Sequence, residues 1–326
     1  MTSASLGEVG HDQKLTGRSR GTLSMRVAIG LETDGPLDQT LERARRLRER
    51  GFTSMWSSQI RGPDTLTVLA VVGRDLTDVD LGTSVVPIQP RHPTMLAAQA
   101  RTVQDAVGGQ LSLGIGLSHQ VVVEGLWGMS FERPAAYMRE YLDALGPMLR
   151  GEKVSVQGDR IRAVAPGPLG PKDVRTPALL VAALGPKMLE MAGAMTDGTV
   201  LWMTGPKTIA SHIAPTIRAA ALAAGRASPR IVCALPIAVT PDVAGARQRI
   251  NEALAIYPTL PSYAAMMERE GAKEAADVAL LGSREHVWEL LTRLDEAGVT
   301  EFSASVVGSE AERDATYDVL VEFARK

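Results

Sequence analysis

The chain of 326 residues lacks several features that direct a sequence to particular classes of protein. Its one cysteine, Cys233, allows no intrachain disulfide and no cysteine-based zinc site. No run of about 18 apolar residues occurs, so no membrane-spanning helix is expected. The formal net charge of −2 gives no basic field, and nucleic acid is not an expected partner. We expect a cytoplasmic protein that acts on a small molecule.

The first 24 residues differ in composition from the rest of the chain. They are polar, contain four glycines and lack the apolar stretch of a secretory signal, so we expect a flexible N-terminal extension. Cys233 stands in the apolar stretch IVCALPIAV, which is typical of a small buried core residue.

From residue 25 onward, apolar stretches typical of buried strands alternate with stretches of helical periodicity. The predicted strands are residues 25–32, 53–60, 80–87, 110–118, 178–184, 198–204, 230–239 and 300–308. Eight strands interleaved with eight helices favour a closed (β/α)₈ TIM barrel that forms a single domain over residues 25–326. The rival is an open Rossmann-like sheet, but its phosphate-binding Gly-x-Gly-x-x-Gly pattern is absent from the first turn, which reads LETDGP.

Two segments interrupt the alternation. Residues 154–164 alternate around Gly158-Asp159 as a short β-hairpin does, and residues 252–282 contain YPTLPSY and a methionine-bearing helix. We expect both to be small insertions at the C-terminal face of the barrel, where active sites lie in this fold, with surface decoration as the alternative.

The predicted strand ends carry small, apolar and hydroxyl-bearing residues. They lack the paired carboxylates of glycoside hydrolases, a metal-binding cluster and a strand lysine suited to a Schiff base. Such a set favours a planar cofactor that carries out the chemistry itself. The residues at these ends that we predict to bind the cofactor are Gln59, Ser84, Val85, Gly116, Ser118, His119 and Leu184.

Gly185-Pro186 follows the fifth predicted strand and opens a helix with proline in its first turn. Free N–H groups at such a terminus can bind a phosphate, and Lys187 adds positive charge. An ordinary glycine-proline helix start is the alternative. No metal site is expected.

The stretch LGTSVVPIQPRHP, residues 81–93, begins as a buried strand and then breaks into prolines and polar residues near Pro87. Together with the following TMLAAQARTVQDAVGGQLSLGIGLSHQ and the later AALGPKMLEMAGAMTDGTV, it resembles the bacterial luciferase-like superfamily. Within that superfamily it is most similar to the actinobacterial oxidoreductases that depend on the deazaflavin coenzyme F420.

The resemblance implies a non-prolyl cis peptide, at Ser84-Val85 by position, that supports the cofactor ring from behind. It implies coenzyme F420 as the cofactor, with FMN as the alternative, and a homodimer. His119 is the one histidine at a predicted strand end and the candidate catalytic residue, although helix capping is an alternative. Trp56, Trp127, Trp202 and Tyr263 are candidates for an aromatic pocket, with a core role as the alternative.

The chain departs from its relatives where they carry acid-base residues. Gln59-Ile60 stands where several members of the superfamily have an Asp-His pair, and Leu117 stands where its sugar-phosphate dehydrogenase branch has a glutamate. We therefore expect hydride transfer to an electron-poor acceptor such as an activated double bond, because oxidation of an alcohol needs a base. A two-component FMN monooxygenase and a non-catalytic flavin-binding or ligand-binding barrel remain open as alternatives.

Overall fold

The computed structural model describes residues 25–59 and 62–326, and the prediction for residues 1–24 lies outside this range. The described part contains twelve strands: β1 (Arg26–Gly30), β2 (Ser54–Ser57), β3 (Asp80–Thr83), β4 (Val86–Pro87), β5 (Leu111–Gly116), β6 (Val154–Gln157), β7 (Arg162–Ala165), β8 (Ala178–Ala182), β9 (Gly198–Trp202), β10 (Arg230–Val239), β11 (Leu280–Gly282) and β12 (Glu301–Val306).

Its α-helices are α1 (Leu37–Glu49), α2 (Thr65–Asp75), α3 (Pro93–Ala106), α4 (Gln120–Gly125), α5 (Pro134–Leu149), α6 (Pro186–Met195), α7 (Pro206–Thr208), α8 (Ala214–Ala223), α9 (Val243–Ala253), α10 (Pro261–Glu270), α11 (Arg284–Glu296) and α12 (Glu310–Ala324). A π-helical turn, Ile209–Ile213, joins α7 to α8, and 3₁₀ turns occur at Tyr257–Thr259 and Ala275–Val278. None of the helices in the described ranges is both long and apolar enough to cross a membrane.

Eight parallel strands close into a barrel in the order β1, β2, β3, β5, β8, β9, β10, β12, with β12 paired to β1. The predicted (β/α)₈ fold is therefore confirmed. Each predicted strand corresponds to one barrel strand, although the third is shorter than predicted: β3 ends at Thr83, and Val86–Pro87 pairs separately with β5. A cis peptide joins Ser84 to Val85 between these two pieces, at the position that the family resemblance implied.

The N-terminal end of the barrel interior contains a polar network around Glu301, which is 2% exposed. The Glu301 carboxylate accepts hydrogen bonds from Ser54 Oγ at 2.6 Å and Trp56 Nε1 at 3.0 Å, and Arg230 pairs with it at 2.8 Å. Burial by itself would raise the pKa of Glu301, but Arg230 and the neighbouring donors hold it below its ordinary value. The buried carboxylate of Glu301 is therefore satisfied by its neighbours.

The middle of the interior is apolar and is dominated by Trp56, which packs with Ala28, Leu180, Val200 and Val232. Its ring lies so close to β3 that a Cβ at Gly82 would be 2.4 Å from a ring carbon. Trp56 is therefore a core residue and does not line an aromatic pocket. Toward the C-terminal end of the barrel, Gly116 and Ala182 are small, so the upper cavity, meaning the interior at the C-terminal mouth, stays open.

The two insertions have different positions. Strands β6 and β7 form the predicted antiparallel hairpin, which packs on the outside of α3 and α5 and lines no part of the upper cavity. In the 252–282 segment, Leu260 and Tyr263 reach the upper cavity, and β11 extends the sheet beside β10. The 252–282 segment therefore covers the C-terminal mouth.

Candidate active site

The end of the third barrel strand turns a side chain into the barrel. Ser84 donates its N–H to the Ser57 carbonyl at 2.8 Å, and the Val85 carbonyl accepts the Gln59 N–H at 3.2 Å. Between these bonds lies the cis peptide, and the Val85 side chain packs against the apolar cluster around Trp56. A Cβ at Gly116 would lie 2.6 Å from Val85 Cγ2, so this close approach requires glycine.

The polar residues of PIQPRHP hold this bulge in place. Arg91 donates to Gln59 Oε1 at 2.8 Å and to Asp64 Oδ2 at 2.6 Å, which ties the end of β2 to the start of α2. Gln89 Nε2 donates to the Leu117 carbonyl at 2.5 Å at the end of β5. The stretch therefore connects three strand ends behind the bulge.

His92 follows Arg91 and caps α3, because its Nδ1 accepts the Thr94 N–H at 3.3 Å.

A cavity of about 770 Å³ opens above the bulge at the C-terminal mouth, a volume in the usual range for sites that hold a cofactor. Of the predicted cofactor-binding residues, Ser84, Val85, Gly116, Ser118, His119, Leu184 and Gly185 line this cavity. Gln59, Pro186 and Lys187 do not line it. The Gln59 side chain is held by Arg91 behind the bulge, while Pro186 and Lys187 are exposed at the start of α6.

The start of α6 forms one side of the cavity. Gly185 is the N-cap residue in an extended conformation, without a side-chain cap, and a Cβ there would meet nothing within 4 Å. Within the described ranges, the N–H groups of Gly185 and Lys187 donate to no protein acceptor. Free N–H groups at a helix N-terminus are able to bind an anion.

His212 supports this terminus from outside the cavity. Its Nε2 lies 2.9 Å from the Leu184 carbonyl, and it belongs to the π-helical turn Ile209–Ile213. Sequence reasoning assigned His212 no role. Although π-helical turns often occur at functional sites, this turn has no recognisable sequence pattern. The contact between His212 and the Leu184 carbonyl could therefore be found only from the structure.

An aromatic cluster, consisting of His119, Trp202, Tyr257 and Tyr263, forms the opposite side. Tyr263 lies 5.7 Å from His119 and 5.0 Å from Tyr257, and Trp202 lies 6.0 Å from Tyr257, all between ring centroids. The Trp202 Nε1–H is buried without a hydrogen-bond partner among the described residues. Trp202 and Tyr263 thus line a pocket as predicted, whereas Trp127 does not line the cavity.

The cluster supplies uncharged donors. His119 stands at the N-cap of α4 without a capping hydrogen bond from its side chain. Burial lowers the pKa of His119 and raises the pKa of the Tyr263 hydroxyl, so near neutral pH the imidazole is neutral and the phenol is protonated. Either group can donate a hydrogen bond to a bound molecule without bringing a charge.

Two residues beside the cavity have left-handed backbones, which are uncommon outside glycine. Ser118 follows β5 with φ 58°, and Met203 follows β9 with φ 52°. Such conformations often accompany functional sites.

Glu124 is a lining residue that sequence reasoning missed, because it lies on α4 and not at a strand end. It accepts hydrogen bonds from Gln120 Nε2 at 2.9 Å and the Phe131 N–H at 3.3 Å. Within the described ranges no cluster of three or more His, Cys, Asp or Glu side chains could hold a metal ion.

The chain thus combines a (β/α)₈ barrel, a bulge at the end of the third barrel strand and a helix start without a side-chain cap after β8. The model of the luciferase-like monooxygenase family matches residues 21–322, and the chain belongs to that family. A Mycobacterium tuberculosis protein provisionally named a coenzyme F420-dependent oxidoreductase is 28% identical over 85% of this chain and 83% of its own length.

Two solved structures share the fold. The coenzyme F420-dependent tetrahydromethanopterin reductase from Methanopyrus kandleri has a TM-score of 0.71 at 18% identity, covering 93% of this chain and 99% of its own. The oxygenating constituent of 3,6-diketocamphane monooxygenase from Pseudomonas putida, solved with FMN, has a TM-score of 0.73 at 16% identity, covering 93% and 99%.

Proposed function

We propose that the protein is an oxidoreductase that exchanges hydride with coenzyme F420 and reduces an electron-poor organic acceptor, such as an activated double bond. The observation that carries this proposal is the cavity at the C-terminal mouth. It extends from the bulge at Ser84-Val85 to the start of α6 at Gly185, where the helix has no side-chain cap. The 28% identical M. tuberculosis relative, with its F420-dependent name, supports the choice of cofactor.

The residues fit such a cofactor in shape and in charge. The small residues Gly116 and Ala182 leave room above Val85 for a flat ring system, and the amides of Gly185 and Lys187 would hold its phosphate. When bound, the deazaflavin supplies the hydride. The chain's own contribution is to bind and orient the reactants and to exclude water.

The acceptor also needs a proton, and the cavity offers weak donors for it. The titratable side chains among the described lining residues are those of His119, Tyr263 and Glu124. Glu124 is engaged by Gln120 and Phe131, which leaves the neutral His119 imidazole and the Tyr263 hydroxyl to hydrogen-bond the acceptor. Donors of this kind suit the reduction of a polarised double bond and leave alcohol oxidation without a strong base.

Cofactor titration tests the proposal directly. We expect purified protein to bind F420 more tightly than FMN, measured by the change in cofactor fluorescence, and to oxidise reduced F420 when enones or nitro compounds are added. Binding of FMN alone, with oxygen consumed in the presence of reduced FMN, would point to a flavin monooxygenase. F420 binding without turnover of any acceptor would point to a non-catalytic barrel.

A further inference from the structure

A second cavity of about 990 Å³ opens at the same mouth, on the side formed by β9, β10 and β12. Pro236 and Ser305, which are paired in register on β10 and β12, line it within the barrel, and α9 and the first half of α12 line it outside. Trp202 lines both cavities and therefore lies at their border. We call this space the second chamber.

The second chamber is mainly aliphatic. Its lining includes Val239, Ile250, Leu254, Val307, Ala311 and Ala315. Because Ala311 and Ala315 carry short side chains, α12 leaves open a space that larger residues on the same face would fill. The surface favours an apolar ligand.

The charged residues of the second chamber are already engaged with the protein. Asp242 caps α9 through the Gly245 N–H at 2.9 Å and lies 3.7 Å from Arg249. Glu312 caps α12 through the Ser309 N–H at 2.7 Å and also accepts from Thr240. These two acids and one base give a formal charge of −1, which disfavours a phosphate or carboxylate ligand.

We propose that the second chamber binds the apolar part of the hydride acceptor and selects a neutral, largely apolar molecule, whose reacting carbon lies past Trp202 in the first cavity, next to the cofactor ring. The proposal rests on the function proposed above, since it assigns the substrate's place and chemical class. The anionic parts of the cofactor are excluded from the second chamber by its charge and are directed to the helix terminus at Gly185.

The first test uses protein without cofactor and a neutral fluorescent probe, N-phenyl-1-naphthylamine, with the anionic 1-anilinonaphthalene-8-sulfonate for comparison. We expect the neutral probe to bind at least tenfold more tightly and to remain bound when F420 is added. Ala315→Phe, which fills the second chamber, should raise the dissociation constant of the neutral probe at least tenfold. Ala324→Phe is the matched control on an exposed position of the same helix and should have no effect.

The second test uses the holoenzyme with a short and a long alkyl-substituted enone. Ala315→Phe should raise KM at least tenfold for the long acceptor while the F420 dissociation constant stays within twofold of the parent. If Ala315→Phe lowers the melting temperature, Ala311→Phe at the rim replaces it.

Three outcomes would overturn the proposal: displacement of the probe by F420, equal binding of the anionic probe, or loss of probe binding with unchanged KM for both enones. Failure of the parent protein to bind F420 would instead reject the proposed function. Probe binding still reports on the second chamber in that case, so the two failures are distinguishable.

Discussion

Gly185→Leu should weaken cofactor binding without destabilising the protein. Gly185 is extended at φ −81° and ψ 157°, a conformation open to any residue, and a Cβ there meets no protein atom within 4 Å. The leucine side chain would therefore occupy space at the helix terminus and not displace the fold. Replacing glycine also restricts the unfolded chain, so stability should be unchanged or slightly higher.

The expected loss follows from the hydrogen bonds that the leucine would block. Two amides, of Gly185 and Lys187, have no protein acceptor within the described ranges. A hydrogen bond to a charged group contributes about 1.5–3 kcal/mol, so blocking both costs about 3–6 kcal/mol. This corresponds to a roughly 10²- to 10⁴-fold increase in the dissociation constant.

The assay compares F420 with its phosphate-free deazaflavin parent by fluorescence titration. Gly185→Leu should raise the dissociation constant of F420 by this factor and leave that of the phosphate-free compound nearly unchanged. Gly167→Leu is a matched control, since a Cβ at Gly167 also meets nothing within 4 Å and Gly167 lies outside the cavity lining. Parent-like F420 binding would place the phosphate elsewhere, and equal weakening of both compounds would show that leucine obstructs the ring.

Three further outcomes are expected. His119→Ala should lower the rate with an enone less than the roughly 10²- to 10⁴-fold expected for a general acid, because we assign His119 to orientation; a larger loss with unchanged cofactor affinity would make it the proton donor. Glu301→Leu should destabilise the fold by roughly 3 kcal/mol in urea titrations at pH 7. Because the folded-state pKa of Glu301 is lowered, the parent should also lose stability as pH falls below about 4.3, the ordinary glutamate value, and the variant should lack this loss; parallel pH dependences of the two proteins would contradict this. We also propose a homodimer, following the family resemblance, and sedimentation of a monomer at micromolar concentration would reject it.

The fold could be predicted because its signals are local. Alternation of strand and helix, the glycine after α1 and the Gly-Pro start of α6 each depend on a few neighbouring residues. Gly51, for example, has φ 110° directly after α1, a conformation that glycine adopts readily. The hairpin around Gly158-Asp159 was predicted for the same reason.

The parts of the site that sequence reasoning missed depend on contacts between distant residues. Gln59 stands at a strand end, yet Arg91, 32 residues later, holds its amide behind the bulge. His212 contacts the Leu184 carbonyl across 28 residues. The pattern of a single element does not record such pairs, and therefore the direction of a side chain at a strand end could not be read from it.

The two cavities divide the barrel mouth between different parts of the chain. Residues at the ends of β3, β5 and β8 line the cavity that we propose for the cofactor, whereas the ends of β10 and β12 with α9 and α12 line the second chamber. Trp202 on β9 lines both cavities, and the aromatic cluster links it to the 252–282 segment. Substitutions on α9 or α12 can therefore change the size of the second chamber without touching the bulge or the helix terminus at Gly185. On the proposed function, acceptor preference should vary with α9 and α12, while cofactor affinity should vary with the strand ends that PIQPRHP holds together.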